Sequence, residues 1–190
     1  MKVGLFFGSF NPIHIGHLII ANTMAENADL DQVWFVVSPQ NPFKKRASLL
    51  HEFDRLDLVN AAVYDSYNMK AVDVEFNMPK PSYTIDTLTY LSEAHPKEEF
   101  RLIIGEDNLK HFHKWKNADK ILELYGLLVY PRPNAQPSDL ITHPRVQMIE
   151  APMMDISATF IRNSIKNNKS IKYLVPQAVE DLIKSRKLYQ

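Results

Sequence analysis

The chain opens on an apolar run that leads directly into a short polar loop and then into a helical pattern. Residues 3–7 contain four apolar side chains and one glycine, which is typical of a buried parallel strand. The loop that follows cannot extend this strand, because Pro12 lacks a ladder donor and Gly8 supplies backbone freedom. A helical pattern then begins at Gly16. A strand, a tight turn and a helix start form half of a nucleotide-binding unit, in which free amide N–H groups and the positive end of the helix dipole face phosphates.

Two histidines stand at the start of that helix. His14 and His17 flank Gly16, and imidazoles in this position can donate hydrogen bonds to phosphoryl oxygens. Gly16 has no Cβ, so a ligand can approach its backbone. Two alternatives stay open: the histidines cap the helix, or they bind zinc together with His111 and His113. A structural zinc site needs four ligands and the chain has no cysteine, so phosphate contact is the preferred interpretation.

Composition and charge exclude several classes of protein. The chain has 190 residues, 45% of them hydrophobic, which predicts a single domain over residues 1–190 that includes C-terminal helices within residues 157–187. A formal net charge of zero gives no electrostatic reason to expect nucleic acid or a membrane as a partner. The absence of cysteine excludes a disulfide framework. No apolar stretch reaches transmembrane length and no signal peptide precedes the first strand, so we expect a cytoplasmic protein, of an oligomeric state that the sequence leaves open.

Strand-like and helix-like segments alternate along the rest of the chain. This alternation predicts an α/β fold, a Rossmann-like parallel sheet with helices on both faces. In such a sheet ligands bind at the carboxyl ends of the strands. The predicted strands are residues 3–7, 32–38, 70–75, 100–104, 126–130 and 146–149, and the predicted helices begin at residue 16 and cover 49–63, 84–95, 118–124, 157–166 and 176–187.

A second polar motif lies late in the chain. Ser157 is a good N-cap residue, whose hydroxyl can accept from an amide of the first helical turn. Thr159 and Arg162 are three residues apart and therefore share one helical face. A guanidinium beside a helix N-terminus can hold phosphates in a fork, although for Arg162 taken alone a solvated surface residue is the favoured interpretation.

Together, the early and late motifs resemble the signatures of one superfamily. Residues 8–17 follow the pattern Gly-x-Phe-x-Pro-x-His-x-Gly-His, and residues 156–162 match Ile-Ser-x-Thr-x-(Ile/Leu)-Arg. Both resemble the HxGH nucleotidyltransferases, which implies a fold of nucleotidyltransferase type. Class I aminoacyl-tRNA synthetases share the His-x-Gly-His string, but their second, lysine-rich loop is not found in this chain.

This resemblance implies roles for residues of both motifs. His14 and His17 would contact the ATP phosphates and stabilise the transition state, and Arg162 would neutralise the departing pyrophosphate. Further residues of the two motifs would bind the nucleotide: Gly8, Ser9, Phe10, Asn11, Gly16, Ile156, Ser157 and Thr159.

Three other segments resemble one branch of the superfamily, the nicotinate-mononucleotide adenylyltransferases. Residues 82–87 match its Ser-Tyr-Thr-x-Asp-Thr element, and Gly105, Asp107 and Trp115 match its Gly-x-Asp-x(7)-Trp pattern. Arg132 begins an Arg-Pro-Asn sequence where the branch has Arg-Pro-Gly.

The resemblance to this branch implies how a pyridine nucleotide would bind. The backbone amides of Ser82, Tyr83 and Thr84 would contact the pyridine carboxylate, and Trp115 would stack on the pyridine ring. Gly105 and Asp107 would contact the nucleotide, and Arg132 would bind substrate. Two plainer alternatives stay open: Ser82 or Thr84 only caps a helix, and Trp115 only packs in the core.

A basic loop, residues 39–46, follows the second predicted strand. In the same branch this loop carries a Pro-Pro-His-Lys element with a basic residue near the transferred phosphate. Lys45 matches the lysine of that element best and would be catalytic, but Phe43 and Lys44 depart from the pattern, so Lys44 is kept as a substrate-binding candidate. Arg55 either aligns with an arginine that follows the loop or is a charge on a helix surface.

The resemblance therefore implies an enzyme of NAD biosynthesis, which transfers the adenylyl group of ATP to nicotinate mononucleotide. The products would be deamido-NAD and pyrophosphate. Mg²⁺ would arrive with ATP and bridge its phosphates, and no metal site of the protein is predicted. Two alternatives stay open: the same chemistry on nicotinamide mononucleotide or phosphopantetheine, and a nucleotide-binding module without catalysis.

Overall fold

A computed structural model describes residues 1–39 and 49–190, and its centre is a sheet of six strands. The strands are β1 (Lys2–Gly8), β2 (Gln32–Val37), β3 (Met69–Val72), β4 (Glu99–Gly105), β5 (Leu127–Tyr130) and β6 (Val146–Met148). Every neighbouring pair runs parallel, in the order β3-β2-β1-β4-β5-β6. The order reverses between β1 and β4, and the crevice at such a reversal is where open parallel sheets bind ligands.

Six α-helices and three 3₁₀ segments connect these strands in the described part of the chain. None of these helices is long and apolar enough to cross a membrane. The α-helices are α1 (Ile15–Asn27), α2 (Glu52–Val63), α3 (Thr84–Ala94), α4 (Ala118–Leu124), α5 (Ala158–Lys166) and α6 (Gln177–Ser185), and the 3₁₀ segments are Val74–Asn77, Glu106–Lys114 and Asp139–Thr142.

Both faces of the sheet are covered by apolar clusters. Along β2, Phe35 belongs to one cluster and its neighbour Trp34 to the other, because successive side chains of a strand point to opposite faces. The first cluster includes residues of α1, α2, α5 and α6, and the second includes residues of α3 and α4. The predicted Rossmann-like fold with helices on both faces is therefore confirmed.

The prediction for the third strand is wrong at its end. The alternating pattern predicts strand through residue 75, but β3 ends at Val72 and a 3₁₀ segment follows. Glu75, only 2% exposed, accepts a hydrogen bond from the hydroxyl of the fully buried Thr87 at 2.8 Å. The alternating pattern places Glu75 on the solvent side, but the hydrogen bond to Thr87 holds its side chain in the interior.

The second helix also begins later than predicted. The apolar spacing predicts a start at residue 49, but α2 starts at Glu52, with His51 as its N-cap. The His51 Nδ1 atom accepts from the Phe53 amide at 3.4 Å, so an imidazole takes the place of the usual serine or aspartate cap.

Substituting Thr87→Val tests the buried hydrogen bond between α3 and the 3₁₀ segment. Valine keeps the volume but removes the donor to Glu75, so we expect the free energy of unfolding to fall by about 1–3 kcal/mol in urea denaturation. The control is Thr89→Val, since the exposed Thr89 donates only to the Ile85 carbonyl of its own helix. Equal losses in the two variants would show that the Glu75 bond contributes nothing specific.

Candidate active site

The carboxyl ends of β1 and β5 and the N-termini of α1 and α5 surround a cavity of about 410 Å³. The early and the late sequence motif both line it, although they lie at opposite ends of the chain. Of the residues predicted for the site, those that line the cavity are Gly8, Ser9, Phe10, Asn11, His14, Gly16, His17, Arg132, Ile156, Ser157, Thr159 and Arg162. Their convergence on one cavity is what the two signatures together predict.

The histidine pair forms the N-terminal cap of α1. His14 is the N-cap residue, and its backbone N–H donates to Nδ1 of His17 at 3.3 Å. The two imidazole rings are stacked, with centroids 3.7 Å apart. The two histidines therefore do cap the helix, as one alternative predicts, and capping leaves their rings able to contact a phosphate. Because Nδ1 of His17 accepts, the neutral ring carries its proton on Nε2, which makes it a hydrogen-bond donor beside the cavity.

His14 is held as a neutral imidazole. Its side chain is only 6% exposed, and its Nδ1 atom has no hydrogen-bond partner among the described residues. Burial, and then the positive charge of Arg132, lower the pKa of His14 from 6.5 to about 4. A Cβ at Gly16 would lie 3.1 Å from His14 Nδ1, so the absent side chain leaves room for this ring. The sequence predicts that Gly16 lets a ligand approach its backbone, whereas in the structure it makes room for the His14 ring.

The loop after β1 has an unusual backbone. Phe10 has φ of +44°, a left-handed conformation that bulky side chains rarely adopt, and its ring is 2% exposed. A Cβ at Gly8 would lie 2.7 Å from that ring, so Gly8 is needed for Phe10 to pack under the loop. The ring of His17 packs edge-on against Phe10 with centroids 5.1 Å apart. Packing of the Phe10 ring against Gly8 and His17 thus supports the loop.

Arg162 joins the late motif to the early one. Its Nη1 donates to the Asn11 carbonyl at 2.8 Å and its Nη2 to the Thr159 hydroxyl at 3.2 Å. The alternative that Arg162 is only a surface residue is wrong. Ser157 is the N-cap of α5 and accepts from the Phe160 amide at 3.1 Å, which confirms the predicted cap.

Arg132 connects the cavity to the end of β4. Its Nε lies 3.9 Å from a carboxylate oxygen of Asp107, which stands just beyond Gly105. A Cβ at Gly105 would lie 2.4 Å from the same Asp107 oxygen, so the glycine makes room for this pair. Asn134, where the branch pattern has glycine, has φ of +60°, a conformation that asparagine tolerates better than most residues.

The predicted pyridine-binding residues lie outside this cavity. Tyr83 is the N-cap of α3 and no side chain caps it, so the suggestion that Ser82 or Thr84 caps this helix is wrong. Trp115 is half-buried, with its ring 5.3 Å from that of Phe112. The next residue, Lys116, contacts two side chains at the start of α3. Its Nζ lies 2.8 Å from the Asp86 carboxylate and 4.9 Å from the ring centroid of Tyr83, the N-cap residue. The Ser82–Thr84 and Trp115 regions therefore adjoin each other.

Two candidates of the basic loop, Lys44 and Lys45, lie outside the described residues. Arg55, in contrast, is fully buried and donates to four backbone carbonyls, so of its two alternatives the helix-surface charge is wrong. The buried face of α2 differs from the predicted apolar stripe, because Phe53 is 57% exposed and the buried residues are Arg55, Leu58, Val59 and Val63.

Sequence reasoning missed several side chains that line the cavity. Tyr130 ends β5, and burial raises the pKa of its hydroxyl to about 12. Phe6 of β1 lies beside it, with ring centroids 5.9 Å apart. The rule that ligands bind at the carboxyl ends of strands would have found Tyr130, because it is the last residue of a predicted strand.

No group of three or more His, Cys, Asp or Glu side chains within residues 1–39 and 49–190 is placed to hold a metal ion. His111 and His113, which the zinc alternative requires, are exposed on the 3₁₀ segment after β4. His14 and His17 lie instead in the first turn of α1.

Comparison with known proteins identifies the family. Residues 5–164 match the family model described as Cytidylyltransferase-like. A protein of Cytophaga hutchinsonii, described as a probable nicotinate-nucleotide adenylyltransferase, is 62% identical over 100% of this chain and 98% of its own length. The chain belongs to the nicotinate-nucleotide adenylyltransferase family. A second member, from Flavobacterium johnsoniae and with the same description, is 52% identical over the full length of both chains.

Solved structures agree with the fold. The nicotinic acid mononucleotide adenylyltransferase of Plasmodium falciparum, complexed with NaAD, superposes with a TM-score of 0.82 over 99% of this chain and 97% of that one, at 19% identity. The same enzyme complexed with APC gives a TM-score of 0.81 over 99% of this chain and 96% of that one, also at 19% identity. Despite the low identity, the six-stranded parallel architecture is thus the one found in this family.

The buried His14 should make stability depend on pH. Because its folded-state pKa lies near 4 and its ordinary value near 6.5, the unfolded chain binds the proton more readily between these values. Stability from this group is therefore present above pH 6.5 and lost as the pH falls toward 4, by about 3 kcal/mol in all. We expect His14→Gln to remove this component in urea denaturation across that range. The exposed His113→Gln is the control, and identical pH profiles for wild type and His14→Gln would refute the argument.

Proposed function

We propose that this protein transfers the adenylyl group of ATP to nicotinate mononucleotide, giving deamido-NAD and pyrophosphate. The observation that carries the proposal is the convergence of the early and late motifs on one cavity, in a chain whose relatives are described as enzymes of this kind. The cavity combines a helix N-terminus, neutral imidazoles and arginines, which are the groups that bind and stabilise phosphates.

The reaction is an in-line displacement at the α-phosphorus of ATP. A phosphate oxygen of the mononucleotide forms the new bond to phosphorus, and the bond to the bridging oxygen of pyrophosphate breaks. Transfer of this type depends on positioning and charge stabilisation, so no covalent nucleophile is required from the protein. His14 and His17 would contact the phosphates at the start of α1, and the amides of Ser9, Phe10 and Asn11 would line the nucleotide.

The permanent cations would balance the charge that develops on the departing pyrophosphate. Arg162 lines the cavity while it holds Asn11, and Arg132 lies at the rim beside Asp107. We further propose that Lys44 or Lys45 supplies an additional positive charge from the basic loop. Mg²⁺ would enter as part of the MgATP substrate, with ligands from the phosphates and water, since that ion keeps several waters and binds through substrate phosphates.

The first turn of α3 is the proposed site for the pyridine carboxylate. Backbone N–H groups of a first turn have no partner within the helix and point outward as donors. A carboxylate satisfies such donors, whereas the NH₂ of a carboxamide leaves donors facing donors. Trp115 would hold the ring by stacking, which does not distinguish the acid from the amide.

The substrate preference tests the proposed function. We expect kcat/KM to be about 100-fold or more higher for nicotinate mononucleotide than for nicotinamide mononucleotide, because two mismatched hydrogen bonds cost about 1–3 kcal/mol each. Trp115→Ala should lower both values while leaving their ratio nearly unchanged, and the exposed Tyr90→Ala should change neither. Equal wild-type values would contradict the acid assignment, and pyrophosphate release only with phosphopantetheine would reassign the enzyme. Nucleotide binding without release from any acceptor would indicate a non-catalytic module.

Replacing the late arginine tests the charge balance. Arg162→Lys keeps the charge but loses the planar fork that reaches Asn11 and Thr159 at once, so we expect turnover with ATP to fall about tenfold or more. Arg145→Lys is the matched control, because Arg145 also donates to backbone carbonyls, those of Leu122 and Leu124, away from the cavity. Unchanged ATP kinetics in Arg162→Lys would remove this residue from the mechanism.

A further inference from the structure

Arg55 of α2 is the one fully buried cation among the described residues, and it is not itself one of the residues that line the cavity. Four of the five N–H groups of its guanidinium donate to backbone carbonyls that belong to three separate segments. The hydrogen bonds run from Nε to Leu50 O at 2.9 Å, from Nη1 to Ser9 O at 2.5 Å and Ser38 O at 2.8 Å, and from Nη2 to Pro39 O at 3.1 Å.

No carboxylate of the described residues forms an ion pair with this charge, and residues 40–48 contain no aspartate or glutamate. Burial lowers the pKa of Arg55. Burying a guanidinium costs free energy, which the four carbonyl dipoles offset here without a carboxylate in direct contact. An apolar side chain would fill the same volume without that cost, so packing alone does not account for an arginine.

The bond to Ser9 fixes one peptide of the nucleotide loop. Because a trans peptide is planar, its C=O and the following N–H point in opposite directions. Holding the Ser9 carbonyl against Arg55 therefore directs the Phe10 amide away from Arg55. Arg162 binds the Asn11 carbonyl from α5, although that peptide presents no amide because Pro12 follows it. With both carbonyl oxygens bound by cations, neither is available to repel a phosphate.

The other bonds of Arg55 reach both flanks of the basic loop. Ser38 and Pro39 precede residues 40–48, and Leu50 follows them closely. The amide of Leu50 also donates to the side-chain carbonyl of Asn11 at 3.2 Å. One guanidinium thus joins the nucleotide loop to the two ends of the segment that contains Lys44 and Lys45.

We propose that Arg55 is a positioning residue for the nucleotide: it orients the Ser9–Phe10 peptide toward the phosphates and holds the flanks of the lysine-bearing segment against the same loop. It acts through these backbone groups and does not touch the substrate. The catalytic part of this inference rests on the proposed function, whereas the part that concerns nucleotide affinity does not.

The test compares Arg55→Lys with Arg101→Lys. A lysine keeps the charge but cannot reach four carbonyls in three segments. Arg101 is the control because it also donates to a strand carbonyl, that of Leu127, and lies outside the cavity lining. Calorimetry measures the affinity for α,β-methylene ATP, and pyrophosphate release measures kcat/KM for ATP. Each protein is measured at a temperature that lies the same number of degrees below its own thermal midpoint. We expect Arg55→Lys to lose about tenfold or more in both, and Arg101→Lys to stay within about twofold.

Each outcome decides between the positioning role and a purely structural one. Wild-type affinity and turnover in Arg55→Lys, or losses no greater than those of Arg101→Lys, overturn the proposal. If Arg55→Lys does not fold, Arg55→Gln removes the buried charge but keeps an amide donor, and the same tenfold losses are expected. A wild type that binds the analogue but forms no deamido-NAD refutes the proposed function, and the affinity of the variants still tests Arg55.

Hydrogen exchange on the wild-type protein tests the coupling between these segments without any substitution. If Arg55 couples the segments, binding of α,β-methylene ATP should slow amide exchange in residues 50–55, which do not line the cavity, together with residues 8–11. Residues 145–148, at the far edge of the sheet, should not change. Protection restricted to the cavity-lining residues 8–17 and 156–162 overturns the coupling.

Discussion

Hydrogen bonds from two arginines to the backbone of one loop hold the candidate site together. Arg55 comes from α2 and binds the Ser9 carbonyl, and Arg162 comes from α5 and binds the Asn11 carbonyl. The loop follows β1, which lies in the interior of the sheet between β2 and β4. A loop fixed by a central strand on one side and by two cations on the other is preorganised, so ligand binding need not include the cost of ordering it.

Neutral donors and permanent charges are separated in this site. The His14 and His17 residues cap a helix, and burial keeps the pKa of His14 near 4, so the His14 ring carries no imidazolium charge at neutral pH. Positive charge comes instead from Arg162 in the cavity and Arg132 at its rim. This division suits phosphoryl-group transfer, in which charge moves from the attacked phosphate to the departing one while the donors keep their places.

Much of the fold can be predicted because the α/β pattern repeats over the whole chain. The alternation of strands and helices predicts the parallel sheet, and the predicted bounds of α4 are those that the structure shows. The errors arise where a contact distant in sequence decides the local structure. Glu75 turns inward because Thr87 donates to it, and Arg55 turns inward because carbonyls of three separate segments accept from it.

The sequence by itself determined the local features of the site: the strand, turn and helix of the early motif, and the Ser157 cap of α5. These depend on backbone restrictions and on hydrogen bonds that span only a few residues, which the order of amino acids specifies directly. Only the tertiary structure decided that Arg55 is buried against four carbonyls, that the pKa of His14 is lowered, and that Trp115 and the start of α3 lie outside the cavity that the two motifs line. Desolvation and shared cavities depend on segments that meet only after folding, and no local pattern records which segments those are.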